Sequence, residues 1–89
     1  MSFKLEDLKR LVNRLNEVTN SPREYMDKET GNTNVGHFTL GQAYGGVRLE
    51  RVVNECGAID IPIAMGYETK KDAYRLINAY LTGIQEAVK

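Results

Sequence analysis

Apolar residues recur every three or four positions near both ends of the chain, which is the spacing of one face of an α-helix. Near the start this set comprises Leu5, Leu8, Leu11, Val12, Leu15 and Val18. Near the end it comprises Ala73, Leu76, Ile77, Tyr80, Leu81, Ile84 and Val88. Ser2 and Thr69 are suitable N-caps, and Asp72 after Thr69 resembles a capping box. The spacing predicts amphipathic helices over residues 3–18 and 69–88.

The first helix also contains four residues at coiled-coil spacing, Leu5, Leu8, Val12 and Leu15. Two heptads are too short to indicate a coiled coil without further support. A helix laid on a sheet is therefore the favoured interpretation.

Apolar and polar residues alternate in the middle of the chain, which is the period of a β-strand with one buried face. The apolar members are Phe38, Leu40, Val47, Leu49 and Val53. This alternation predicts strands over Val35–Gln42 and Val47–Asn54, joined by a hairpin turn within Ala43–Gly46. Glycine is expected in the turn because tight hairpins need positive φ.

Two registers of the hairpin keep the apolar side chains together. A two-residue turn at residues 44 and 45 places Leu40 opposite Leu49, whereas a turn at residues 45 and 46 places Phe38 opposite Val53. A three-residue loop would move the apolar set to opposite faces unless a bulge corrected it. A two-residue turn is therefore predicted.

Two other segments leave alternatives open. Residues 21–24 have the letters of a helix start with proline at the first position. Alternatively, Glu24–Lys28 is an edge strand that turns at residues 30–32 into Val35, which we favour because Gly31 and Asn32 before a strand are a hairpin signal. In the segment 56–66, Pro62 excludes a central strand, so this segment is predicted to be an edge strand or an irregular packed segment.

The elements together predict an α+β fold. The 89 residues suit a single domain, and a 42% apolar and 27% charged composition is typical of a folded globular chain. We expect an N-terminal helix, a small antiparallel sheet around the central hairpin, and a C-terminal helix packed on one sheet face.

Charge and cysteine content narrow the function classes. Lys and Arg number 12, as do Asp and Glu, so neither a strongly basic nucleic-acid binder nor an acidic nucleic-acid mimic is favoured. The only cysteine, Cys56, excludes an intrachain disulfide. The charged N-terminal residues do not resemble a signal peptide, and no apolar run reaches membrane-spanning length. We expect a cytoplasmic protein without a membrane partner.

The candidate binding residues lie in and beside the hairpin: Tyr44, Gly45, Gly46, Arg48, Arg51 and Asn54. An aromatic ring at a loop tip is typical of a contact residue, although the ring could equally cover the core. Arg51 shares the apolar face, so it is either a binding residue or a packed stem whose charged head reaches water or Glu55.

Motifs for catalysis are weak. Cys56 and His37 match no nucleophile–base signature, and the sequence contains no phosphate-binding or metalloprotease motif. Lys70 and Lys71 at a helix start suit an anion, but Glu68 and Asp72 offset their charge. We therefore predict a non-enzymatic protein that needs no cofactor and no metal.

The run from Asn34–Phe38 through Ala43–Leu49, Val53–Gly57 and Thr69–Tyr74 resembles a family of small proteins encoded by bacteriophages and prophages. The resemblance covers nearly the whole chain, and its specific parts are the Tyr-Gly-Gly and Asn-Glu elements. In that family a glycine-rich run often follows Asn-Glu, whereas here Cys56 and Ala58 flank a single Gly57. The resemblance implies a phage or mobile-element accessory protein and carries no activity.

Two functional hypotheses follow. The first is a small interaction module that binds a host or phage protein, or a second copy of itself, through the hairpin tip and the strand face. The alternative is a nucleic-acid-binding accessory protein. Its basic patch would comprise Arg48, Arg51, Lys70, Lys71 and Arg75.

Overall fold

The helices begin and end close to where the apolar spacing predicts. A computed structural model describes residues 4–63 and 65–87, so the predicted cap at Ser2 and the predicted contact of Val88 lie outside the described residues. The elements follow in the order α1 (Leu5–Val18), β1 (Phe38–Ala43), β2 (Gly46–Val52), β3 (Ile59–Asp60) and α2 (Lys70–Ala87). The predicted cap of the second helix is present, since the Asp72 N–H donates to Thr69 Oγ1 at 3.3 Å.

Both helices pack on the same face of one antiparallel sheet, whose strand order is β1-β2-β3. A single buried cluster joins them, comprising Leu8, Leu11, Val12 and Leu15 of α1, Phe38, Val47 and Leu49 of the sheet, and Ala73, Ile77 and Leu81 of α2. The alternation of side chains along each strand places the three sheet residues on one face. The predicted α+β architecture, with the C-terminal helix on one sheet face, is confirmed.

The hairpin has the register set by a turn at residues 44 and 45. Leu40 lies opposite Leu49, and Ala43 lies opposite Gly46. Tyr44 and Gly45 both have positive φ, 54° and 74°, as a type I′ turn requires. Of the two predicted registers, the first is confirmed.

The apolar face of β2 does not continue to Val53, and that part of the prediction is wrong. The strand ends at Val52, which is buried, whereas Val53 is exposed. The chain turns here because the Asn54 carboxamide oxygen accepts the N–H groups of Cys56 and Ala58, at 2.9 and 3.1 Å. The carbonyl of Ala58 in turn accepts the Val53 N–H at 2.9 Å.

The predicted edge strand at Glu24–Lys28 is also wrong, and the segment forms no helical turn either. It contains a single antiparallel bridge, between Met26 and Thr33. The Asp27 carboxylate accepts the N–H groups of Glu29 and Thr30, at 2.8 and 3.3 Å, which turns the chain immediately after the bridge. The pairing cannot extend beyond Asp27 through such a turn.

The segment after Cys56 combines both predicted alternatives. Ile59 and Asp60 form the short edge strand β3 against β2, and Pro62 lies in the irregular stretch that follows. A second bridge, between Val47 and Glu68, brings the chain back to the same edge of β2 before α2 begins.

A buried asparagine attaches α1 to the outer edge of β1. Asn16 is 1% exposed, and its carboxamide group donates to the Phe38 carbonyl at 3.1 Å and accepts the Phe38 N–H at 2.8 Å. Buried backbone groups need such partners, and within residues 4–63 and 65–87 no strand neighbours β1 on this side. Asn16 therefore takes the place of a strand at this position.

Candidate functional site

The sheet face opposite the helices carries a group of aromatic and charged side chains at the hairpin end. We call Tyr44, Arg48, Glu50 and Tyr67 the tip cluster. Arg48 and Glu50 alternate with the buried Val47 and Leu49, so their side chains leave the sheet on the face that the helices do not cover. The cluster thus lies on the sheet face away from the helices.

Tyr44 is the most exposed large hydrophobic side chain of the described residues. Its relative exposure is 95%, and its ring meets the ring of Tyr67 edge to face, with centroids 5.7 Å apart and planes at 65°. An edge-to-face pair is a favoured aromatic geometry. One side of the Tyr44 ring is therefore supported while the remainder faces solvent.

Arg48 is held between a ring and a carboxylate. Its guanidinium carbon lies 4.3 Å from the centroid of the Tyr67 ring, and its Nε lies 3.0 Å from Glu50 Oε2. The side chains of Arg48 and Glu50 are 21% and 12% exposed, so the ion pair is partly shielded from water. Arg48 thus contacts the same ring, Tyr67, that Tyr44 contacts.

Gly46 positions Tyr67, the residue that connects the cluster. A Cβ atom on Gly46 would lie 2.6 Å from the Tyr67 carbonyl oxygen, so only glycine permits this approach. The adjoining bridge holds the segment in place, with N–H to O distances of 2.9 and 2.8 Å between Val47 and Glu68. Gly46 does not have a positive φ, so the turn conformation does not require glycine here. Glycine is required because the Tyr67 backbone approaches this position closely.

Arg51 lies away from the tip cluster. Its guanidinium carbon is 4.5 Å from the centroid of the Phe38 ring, and its Nε donates to the Gly36 carbonyl at 3.1 Å. In the part of the chain that the structure describes, it forms no ion pair with Glu55. The Arg51 side chain is therefore packed, and its guanidinium group contacts the Phe38 ring and the Gly36 carbonyl.

Asn54 also lies at the far end of β2 and shapes the loop there. Besides its carboxamide contacts, its carbonyl accepts the Thr33 hydroxyl at 2.8 Å. Of the six sequence-predicted binding residues, the structure brings Tyr44, Gly45, Gly46 and Arg48 together, whereas Arg51 and Asn54 lie apart from them. Sequence reasoning missed Tyr67, which lies about twenty residues further along the chain.

The five basic residues do not form one surface. Arg48 and Arg51 are separated by three positions in the same strand and so point to opposite sheet faces. Lys70, Lys71 and Arg75 are exposed in the first turns of α2. A patch that uses all five cations is not present.

His37 and Cys56 have separate environments. His37 is buried, with Nδ1 donating to the Pro22 carbonyl at 2.7 Å and its ring edge to face with Tyr25. Cys56 is exposed.

Residues 4–63 and 65–87 contain no group of three or more His, Cys, Asp or Glu arranged to hold a metal ion. None of the helices described is long and apolar enough to cross a membrane.

Comparison with known proteins gives one partial match. Coiled-coil domain-containing protein 66 of Canis lupus familiaris is 30% identical over 76 residues, which is 85% of this chain and 8% of that protein. The chain thus spans under a tenth of the length of this relative. No protein-family model matches the chain, and no solved structure matches it. A match of this length extends across the sheet as well as the helices.

Proposed function

We propose that the protein is a small non-enzymatic interaction module that binds another protein through its tip cluster. The observation that carries this proposal is the placement of Tyr44. It is 95% exposed at the end of the β1–β2 hairpin and has a φ of 54°. Aromatic side chains in such positions are typical anchors of protein interfaces.

The backbone of Tyr44 supports the proposal because it is an unfavourable place for a tyrosine. The left-handed region costs a residue with a Cβ about 1–2 kcal/mol, and type I′ turns favour asparagine or glycine there. The fold accepts this cost although the ring is hardly buried. An outlier with no benefit to the core suggests a function for the side chain.

The surroundings of Tyr44 support a preformed contact surface. Arg48 and Tyr67 belong to the residue types that dominate binding energy in interfaces, and both are held in place within the free protein. A side chain that is already ordered loses less entropy on binding. The cluster therefore suits a partner with an apolar pocket for Tyr44 and an acceptor group near Arg48.

Nucleic acid is the less supported partner. Arg48 is already paired with Glu50, and the Arg51 guanidinium already contacts the Phe38 ring and the Gly36 carbonyl, so neither is a free cation for phosphate. The balanced charge of the whole chain gives little long-range attraction to phosphate. Because the chain resembles small phage and prophage proteins, we propose a host or phage protein as the partner, in the cytoplasm of the host cell.

Replacing Tyr44 with asparagine should weaken partner binding about thirtyfold or more without unfolding the protein. Asparagine tolerates the left-handed region, so the relieved backbone offsets the lost contact with Tyr67, and we expect the free energy of unfolding to change by less than about 1 kcal/mol. Loss of a central aromatic anchor typically costs about 2 kcal/mol or more, a thirtyfold weakening. Affinity capture from host cells, quantified by mass spectrometry, measures the binding, and urea denaturation measures the stability.

Leu76→Ala is the matched control, because Leu76 is an exposed apolar residue of α2 outside the tip cluster. The Leu76→Ala variant should still capture the partner, and the capture should persist after nuclease treatment. Equal capture by Tyr44→Asn and the unchanged protein would overturn the proposal. Capture that disappears with nuclease or with moderate salt would favour nucleic acid instead.

A further inference from the structure

The outer edge of β1 has backbone groups that no other strand of the described sheet uses. The strand order leaves β1 bonded on one side only. Within the hairpin the pairs next to the two-residue turn, Ala43 with Gly46 and Gly41 with Arg48, are the hydrogen-bonded ones. The N–H and C=O groups of Leu40 and Gln42 therefore point away from β2.

The contact of Asn16 with this edge indicates the kind of chemical group that fits it, which is an amide. Its carboxamide occupies the neighbouring position, with one hydrogen bond to each backbone group of Phe38. An amide that donates and accepts in this way has the same groups as one peptide unit of an added strand. The same pair of backbone groups is repeated at Leu40 and Gln42, about 7 Å further for every two residues.

A groove runs beside these free groups. It has a volume of about 220 Å³ and is bordered by Lys9 and Asn13 of α1 and by Leu40 and Gln42 of β1. Neither Leu40 nor Gln42 is fully buried. An extended chain therefore has access to the edge along this length.

The free edge is symmetric about Gly41. The free part of the edge ends on one side at Phe38, whose N–H and carbonyl are bonded to Asn16. On the other side it ends at Tyr44, where the turn begins. Leu40 and Gln42 lie one residue to either side of Gly41 and contribute one donor and one acceptor each. Such an edge is complementary to its own copy in antiparallel orientation.

We propose that a second copy of this chain occupies the edge, forming a two-fold dimer through β1. Leu40 of one copy pairs with Gln42 of the other, and the reverse, which gives four hydrogen bonds and leaves none of these groups unpaired. The two-fold axis passes between the Gly41 residues, which form the close, non-hydrogen-bonded pair of the ladder. The two sheets then continue as one sheet of six strands.

The environment of Gly41 fits this position on the axis. The Glu50 carboxylate occupies the space where a Cβ atom of Gly41 would be, and Arg48 neutralises it. Each copy therefore brings a balanced ion pair to the axis. A glycine at the closest crossing keeps other side chains out of this contact.

The dimer is tested by the mass of the purified protein. Sedimentation equilibrium at 10–100 μM, an order-of-magnitude range suited to weak interfaces, should give twice the monomer mass of 10.0 kDa. Gln42→Pro removes one edge N–H and blocks the edge without removing a hydrogen bond of the hairpin, so this variant should be monomeric. Gln42→Ala, which keeps the N–H, should remain a dimer.

A monomeric mass of the unchanged protein throughout this range would overturn the proposal, as would a Gln42→Pro variant that is folded and dimeric. If Gln42→Pro does not fold, amide exchange of the unchanged protein decides. Exchange at Leu40 and Gln42 should slow at least tenfold between dilute and concentrated samples, while exchange at Phe38, bonded within one chain, should not change. Concentration-independent exchange at all three residues would contradict the dimer. These measurements need no partner, so their outcome is independent of the proposed function.

Discussion

Replacing Asn16 with alanine is expected to lower the free energy of unfolding by about 2–4 kcal/mol. The substitution leaves the N–H and the carbonyl of Phe38 without their partners beside a buried core. An unsatisfied buried polar group costs about 1–3 kcal/mol, and here two are created together. The loss is a large share of the stability of a domain of this size.

Asn13→Ala is the matched control for this substitution. Asn13 is the same residue type on the same helix, one turn earlier, but it is exposed. Its replacement should change the stability by less than about 0.5 kcal/mol. Urea denaturation followed by circular dichroism measures both variants, and an equal effect would contradict the role of Asn16 as a stand-in for a strand.

Replacing Gly46 with alanine is expected to cost about 1–3 kcal/mol and to displace Tyr67. A new Cβ atom would lie 2.6 Å from the Tyr67 carbonyl oxygen and 2.9 Å from that of Glu68, and backbone atoms cannot rotate aside as a flexible side chain can. The segment must move outward, which breaks the bridge between Val47 and Glu68. Tyr44 and Arg48 then lose the ring that they share.

Gly83→Ala supplies the contrasting control, because a Cβ atom at Gly83 meets no atom within 4 Å. In the interior of α2 this change should stabilise the protein by about 0.5–1 kcal/mol. Thermal melting compares the two glycine variants, and the ring resonances of Tyr67 in NMR spectra report its position. A Gly46→Ala variant with normal stability and unchanged Tyr67 resonances would show that the close approach is not required.

The local periodicity of the sequence was sufficient for the helices and the hairpin. Apolar spacing located both helices, and the period of two along the strands fixed the pairing of Leu40 with Leu49. These features depend on neighbours within a few residues. The prediction failed at Val53 and at Glu24–Lys28, where the side chains of Asn54 and Asp27 turn the chain by bonding to nearby N–H groups.

The tip cluster could be predicted only in part, because its geometry depends on distant contacts. The turn chemistry indicated Tyr44 and Gly45, since a tight hairpin needs positive φ. No local pattern connects Tyr67 with Arg48, because they meet only when the chain returns along the edge of β2. For the same reason the sequence does not distinguish Asn16 from an ordinary polar residue of a helix, because its partner Phe38 lies 22 positions away.

Site-specific photo-crosslinking from position 44 tests the central claim most directly. A photoreactive phenylalanine analogue at Tyr44 keeps an aromatic side chain at the tip, and the same analogue at Leu76 serves as the control position. After irradiation in host cells, we expect a defined, nuclease-resistant adduct with one protein from position 44 and none from position 76. The same adducts from both positions, no adduct from position 44, or an adduct that nuclease removes would contradict a protein-binding hairpin tip.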